Sequence, residues 1–126
     1  ASPMTSGPLN LIPNLPLLPP DEVRIERVRA VPYPDRRRVR VEVDVTPFRE
    51  RPNLEIAIRN DAGKVVATTS VVAAMAFHLA FTLHLRDGGE AGPGYEVIVL
   101  LYYDDPLAPQ DRRQVPLALA EADSSA

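Results

Sequence analysis

The sequence predicts an all-β protein, a sandwich of two antiparallel sheets with about seven strands. The plainest evidence is Arg38–Val45, where four valines alternate with four charged residues, which is the two-residue period of a strand. A strand with one apolar and one charged face belongs to a sheet that is buried on one side only. Similar short segments recur with turn-forming residues between them, and no sustained helical period appears.

The first two predicted strands are joined by a proline-containing turn. The alternation in Val23–Val31 slips at Arg27 and resumes at Val28, which predicts a β-bulge or a strand that crosses between sheets. Pro32–Asp35 has the composition of a turn, and the second strand is Arg38–Val45.

Strands three to five are predicted at Leu54–Arg59, Lys64–Val72 and Phe77–Arg86. The third and the fifth show alternating apolar residues. Asn60–Gly63 separates the third strand from the fourth and is typical of a hairpin turn. Within it, Gly63 can take the positive-φ position.

The last two strands are predicted at Tyr95–Tyr103 and Gln114–Leu119, with the glycine-rich loop Gly88–Gly94 before the sixth. Proline has no backbone N–H to donate to a neighbouring strand. Pro116 therefore indicates that the seventh strand lies at the edge of its sheet.

Composition divides the chain into an N-terminal arm at residues 1–20, a sandwich domain at 21–120 and a flexible C-terminal tail at 121–126. The arm holds six of the 14 prolines, so an extended conformation is expected. A stiff linker is one interpretation. The arm is unusually aliphatic for a linker, which favours docking onto the domain or a partner. The docking residues would be Leu11, Ile12, Leu15, Leu17 and Leu18.

Gly94-Tyr95-Glu96-Val97, at the start of the sixth strand, resembles a tyrosine corner. With the strand order, it makes residues 21–120 similar to immunoglobulin-like and fibronectin type III-like sandwiches. The resemblance implies that Tyr95 anchors the preceding loop and that Val97 is a core position. It also implies one sheet of strands one, two and five and another of strands three, six and seven. The chain departs from antibody domains in having no cysteine and no tryptophan.

Composition excludes several kinds of site and partner. The net charge of −3 and the absence of cysteine argue against nucleic-acid binding, disulfides and cysteine metal sites. No apolar run is long enough to insert into a membrane. These features, with no evident signal peptide, favour a cytoplasmic location. No cofactor is expected.

No catalytic or metal-binding motif emerges, so an enzyme is not predicted. His78 and His84 share one strand face but are separated by about 20 Å at roughly 3.3 Å per residue, too far to bind one ion. Asp104, Asp105 and Asp111 match no calcium-loop spacing and are interpreted as turn formers.

The sixth strand differs from the others because it is apolar on both faces. Its outward residues, with small neighbours on strands three and seven, predict an interface. That interface comprises Ile98, Leu100, Tyr102, Ala57 and Ala118. The arm of the same chain, a second copy or another protein could cover it, and an exchanged arm would combine the first two possibilities.

The sequence thus supports two hypotheses about function. The first is a non-enzymatic protein-interaction or assembly module, whose partner is another protein or a second copy in a homodimer. It would use the outer face of the sheet of strands three, six and seven, the edge strand or the arm. The alternative is a small-ligand or carbohydrate-binding accessory domain of a larger protein, which would use the loops at one end of the sandwich.

Overall fold

Seven β-strands in two antiparallel sheets make up most of the part of the chain that the computed structural model describes, residues 17–88 and 94–118. The strands are β1 (Ile25–Pro32), β2 (Arg38–Val45), β3 (Asn53–Arg59), β4 (Val65–Val71), β5 (His78–His84), β6 (Gly94–Tyr102) and β7 (Asp111–Ala118). One sheet has the order β1-β2-β5, and the other has the order β4-β3-β6-β7. The predicted fold class is confirmed.

The core lies between the two sheets and is built from the alternate residues that the sequence pattern assigned to it. In β2 the four valines are buried, and the charged residues between them are exposed or half-buried. The inward residues of β3 and β6 are completely buried; they are Leu54, Ile56, Ile58, Val97, Val99 and Leu101. Full burial of such a side chain contributes about 1.5–3 kcal/mol, so these strands hold the sheets together.

The predicted irregularity in β1 is confirmed as a bulge. Ile25 pairs with Val45, but Arg27 pairs with Asp44, so the register shifts by one residue between them. The shift turns Arg27 outward, where its Nε lies 3.2 Å from Asp44 Oδ2. The bulge therefore converts a charged residue that would break the apolar face into half of a surface ion pair.

Strand β7 is an edge strand, as Pro116 indicates, but it begins at Asp111, three residues before the predicted start at Gln114. The prediction missed the first three residues of β7, because Asp111, Arg112 and Arg113 show no apolar alternation. Polar contacts to β1 hold it instead. Asp111 Oδ2 accepts a 2.7 Å hydrogen bond from Ile25 N–H, and Arg113 Nη2 donates a 2.7 Å bond to Ile25 O.

The β3–β4 turn has the predicted geometry, with Gly63 at a φ of 82°. Asn60 is buried and directs the turn through its side chain. Its Oδ1 accepts hydrogen bonds from the backbone N–H groups of Ala62 (2.9 Å) and Lys64 (3.0 Å). An asparagine side chain that bonds its own turn in this way favours a tight connection.

Tyr95 is an anchor of the loop that precedes β6, as the tyrosine corner implies. Its ring is 2% exposed, and its hydroxyl donates a 2.9 Å hydrogen bond to Asp87 Oδ2. Asn60 Nδ2 donates to the same carboxylate oxygen at 3.2 Å. One aspartate thus connects β6, the loop after β5 and the β3–β4 turn.

Replacing Tyr95 with Phe is expected to destabilise the protein by about 1.5–3 kcal/mol, the usual range for a hydrogen bond to a charged group. Urea unfolding followed by circular dichroism would measure the loss. Tyr102→Phe is the matched control, because Tyr102 lies on the outward face of the same strand and is half-buried. Equal effects of the two substitutions would contradict the anchoring role.

Candidate interaction surfaces

The outer face of the four-stranded sheet carries most of the predicted interface. In the register of β3 and β6, Ala57 lies opposite Ile98, while Leu100 and Tyr102 follow further along β6. These four residues are all half-buried. They form a narrow apolar row, called here the β3–β6 stripe (Ala57, Ile98, Leu100, Tyr102).

Ala118 is not beside the middle of this stripe. The β6–β7 register places it opposite Gly94, four residues along β6 from Ile98, and its side chain lies outside the described residues. The residues opposite Ile98 and Leu100 on β7 are instead Gln114 and Arg112. Polar side chains therefore border the β3–β6 stripe on the β7 side.

The β4 side of the stripe is polar as well. Thr68 pairs with Ala57, and Ser70 pairs with Glu55, the residue opposite Leu100. Ser70 Oγ donates a 2.6 Å hydrogen bond to Glu55 Oε2. The apolar surface is thus about one strand wide, with Ala57 as its only residue on β3. Polar side chains lie on both sides of it, as in the core and rim of a protein interface.

A charged network closes one end of the stripe. Glu96 accepts a 2.7 Å hydrogen bond from Arg59 Nη2 on one carboxylate oxygen and a 2.7 Å bond from Gln114 Nε2 on the other. The bond from Arg59, followed by that from Gln114, lowers the pKa of Glu96 below its ordinary value. The three side chains connect β3, β6 and β7 across the outer face.

A polar cavity of about 460 Å³ adjoins this network, between the β3–β4 turn and the start of β6. Its lining includes Arg59, Asn60, Asp61, Gly94 and Glu96. A Cβ atom at Gly94 would lie 2.5 Å from Asp61 Oδ1, so a larger residue there would displace the Asp61 side chain. Tyr95 also lines the cavity but is only 2% exposed, and it offers no aromatic platform for a ligand.

A second surface was not predicted from the sequence. It is a cavity of about 470 Å³ at the end of the sandwich where the β2–β3 and β4–β5 loops meet, and we call it the end groove. It is lined by Leu17, Phe48, Arg49, Arg51, Met75, Ala76 and Phe77. Met75 is 78% exposed. The sequence signal was weak, because Met75 stands among alanines between two strands.

The described end of the arm contacts the domain at this groove. Leu18 N–H donates a 2.9 Å hydrogen bond to Pro47 O, and Arg49 N–H donates a 3.0 Å bond to Leu18 O, which makes a parallel bridge between Leu18 and Phe48. Leu18 packs against the core, whereas Leu17 is 47% exposed. The other predicted docking residues, Leu11, Ile12 and Leu15, lie outside the described residues.

The other sequence candidates have structural roles or solvent-facing positions. His78 and His84 are exposed, and His78 Nδ1 contacts Asp44 Oδ1. Asp105 accepts a hydrogen bond from Leu107 N–H within its own turn. Within residues 17–88 and 94–118, no three His, Asp or Glu side chains are grouped to hold a metal ion, and no helix is long and apolar enough to cross a membrane.

Comparison with known proteins finds likeness only at the level of structure. No protein-family model matches the chain, and no curated protein sequence matches it. A glycosyl hydrolase family 2 member from Bacteroides cellulosilyticus DSM 14838 is 16% identical with a TM-score of 0.57, over 77% of this chain and 15% of that chain. An FMN-binding beta-glucuronidase from Facaelibacterium prausnitzii L2-6 is 15% identical with a TM-score of 0.56, over 76% and 16%.

A beta-glucuronidase from glycoside hydrolase family 2 gives a similar result, with 13% identity and a TM-score of 0.54 over 79% of this chain and 13% of that one. This chain therefore spans about a seventh of the length of the structures it resembles. At such low identity the likeness shows the fold alone. It is the fold of a small part of each of those chains.

Glu96→Gln is expected to lower the free energy of unfolding at neutral pH. It should also make that free energy depend less on pH in the acidic range. Because the folded-state pKa of Glu96 is lowered, its stabilising effect is complete above the ordinary glutamate pKa of 4.5. The effect disappears as the pH falls through the lower pKa of the folded state. Urea unfolding at a series of pH values would measure both changes.

The matched control is Glu26→Gln, at an exposed position of β1. If the two variants lose the same stability as the pH falls, the network of Arg59, Glu96 and Gln114 does not stabilise the sheet.

Proposed function

We propose that this protein is a non-enzymatic interaction module, an immunoglobulin-like or fibronectin type III-like domain that binds another protein surface through the β3–β6 stripe. The single observation that carries the proposal is the apolar row of Ala57, Ile98, Leu100 and Tyr102 in the middle of a sheet face, with polar side chains on both sides. Apolar surface gathered in this way favours association more than the same residues scattered singly.

The outer face of the other sheet supports this choice by contrast. Arg40 Nε lies 2.8 Å from Glu42 Oε2, and the hydrogen bond from Arg40 lowers the pKa of Glu42. Arg27 pairs with Asp44 on the same face. A surface whose charges pair with one another has little to gain from an apolar partner, because binding would remove those charges from water.

The partner would be a second copy of this chain or another domain of a larger protein. The structural likeness supports an accessory role, since the matched part is a small fraction of each known chain. An overall charge of −3 makes nucleic acid an unsuitable partner. The surface requires no cofactor.

Leu100→Asp is the direct test of the stripe. If copies of the chain associate through it, the wild type should show a mass that rises with concentration in sedimentation velocity. The variant should remain monomeric, because a buried, unpaired carboxylate opposes association. Val31→Asp is the control, since Val31 is an exposed apolar residue on the outer face of the other sheet.

Amide NMR spectra of the wild type, recorded over a series of protein concentrations, would locate the contact independently. Shifts centred on β3 and β6 support the stripe. A wild type that stays monomeric at millimolar concentration, with no such shifts, would rule out self-association, and shifts centred on β1 and β2 would contradict the choice of face.

A second function, carbohydrate binding as an accessory domain, is favoured by the polar cavity beside Arg59 and Glu96. Its charged and amide groups could hydrogen-bond sugar hydroxyls. The test is titration with neutral and uronic-acid oligosaccharides, followed by the amide signals of the cavity residues. Binding that Arg59→Ala reduces at least tenfold and Leu100→Asp leaves unchanged would support this function over the first.

A further inference from the structure

The end groove is formed by side chains that the fold holds in place. Phe48 and Phe77 make its floor with their ring centroids 4.7 Å apart and their planes at 87°, an edge-to-face contact that aromatic rings favour. Phe48 is buried, and Val45 N–H donates a 2.9 Å hydrogen bond to Phe77 O. The aromatic floor is therefore held by the ends of β2 and β5.

The loop that presents Met75 to the groove is also held in place. Ala73 has a φ of 57°, a left-handed conformation that is unfavourable for a residue with a Cβ. Its N–H donates a 2.8 Å hydrogen bond to Asn53 Oδ1, and Ala74 N–H donates a 2.8 Å bond to Pro52 O. Met75 is thus exposed by a fixed backbone.

The arm joins the domain at the wall of this groove. Leu17 lines the groove, and the two backbone hydrogen bonds of Leu18 fix where the chain enters it. The segment that precedes Leu17 is therefore joined to the domain at the groove. Leu17 lines the same cavity as Met75 and Phe77.

The chemistry of that preceding segment suits the groove. Residues 1–16 include no charged residue, and Leu9–Leu15 carries four aliphatic side chains. At about 3.1 Å per residue in an extended proline-rich conformation, Leu9–Leu15 would span roughly 20 Å. That length is enough to cross a cavity of this volume.

We propose that Leu9–Leu15 of the same chain occupies the end groove, with its aliphatic side chains on Met75, Phe48 and Phe77. The aliphatic stems of Arg49 and Arg51 flank the segment while their guanidinium groups stay in water. This site is separate from the β3–β6 stripe, so the arm leaves the stripe open to a partner.

An acidic peptide from another protein is the main competitor, because two arginines line the groove. The arm has the advantage of its attachment. A segment joined by a short linker is present at an effective concentration in the millimolar range. A free peptide at a lower concentration would need a correspondingly higher affinity for the groove to replace the arm.

The chain has no cysteine, so pairs of introduced cysteines can test the proposal without background. Met75→Cys would be combined in turn with Leu9→Cys, Leu11→Cys, Ile12→Cys and Leu15→Cys in the full chain. Each pair would be equilibrated in glutathione redox buffers, and intact mass and non-reducing gels would give the effective concentration of the two thiols. A disulfide requires Cα atoms within about 7 Å, so only a docked segment closes it efficiently.

The matched control combines the same arm cysteines with Ala62→Cys. Ala62 is exposed in the β3–β4 turn, at the opposite end of β3 from the groove. We expect the effective concentration to be at least tenfold higher with Met75→Cys than with Ala62→Cys for at least one arm position, in a monomeric product. Circular dichroism of the reduced variants checks that they are folded, which the exposure of both sites favours.

Three results would overturn the proposal. Effective concentrations with Met75→Cys that only fall smoothly from Leu15 to Leu9, as a flexible tether gives, or that equal those with Ala62→Cys, would show an arm that does not dock. Disulfides that form mainly between two chains would identify the arm of a second copy as the occupant. Protection of a Met75→Cys single variant from alkylation by an added acidic peptide, with no arm disulfide, would identify a different partner. None of these results bears on the β3–β6 stripe.

Discussion

The antiparallel pairing of β3 with β6 is the constraint on which the rest of the structure depends. Its register places Ile56 opposite Val99 on the inward side, where both are completely buried. The same register places Ala57 opposite Ile98 on the outward side. Because alternate side chains of a strand point to opposite faces, the core and the β3–β6 stripe cannot change independently. A slip of one residue would exchange them.

Much of the fold could be predicted because short-range patterns and long-range contacts agree. The valines of β2, the break at Arg27, Gly63 in its turn and Pro116 at an edge each have a local physical cause. The start of β7 could not be predicted. Asp111 and Arg113 contact the backbone of Ile25, and no pattern within β7 itself reveals a partner that lies 86 residues away.

The candidate surfaces show the same division. Outward alternation on β6 indicated the stripe, and the structure brings Ala57, Ile98, Leu100 and Tyr102 to one face. The neighbours on β7 depended on the register of two strands, so Ala118 could not be placed from sequence. The end groove combines the described end of the arm with two loops, and these become neighbours only through the fold. The exposure of Met75 in this groove also depends on the backbone conformation of Ala73, which no local pattern indicated.

The bridge between Leu18 and Phe48 has a mechanical consequence. The chain is held at the β2–β3 loop before it reaches β1, so a pull on the arm loads two backbone hydrogen bonds there. Strand β1, with its bulge and its contacts to β7, is protected from that load. The β2–β3 loop at this bridge includes Phe48, which packs against Phe77 in the floor of the end groove. Tension on the arm would therefore reach the hydrophobic core through Leu18 and Phe48 before it could separate any pair of strands.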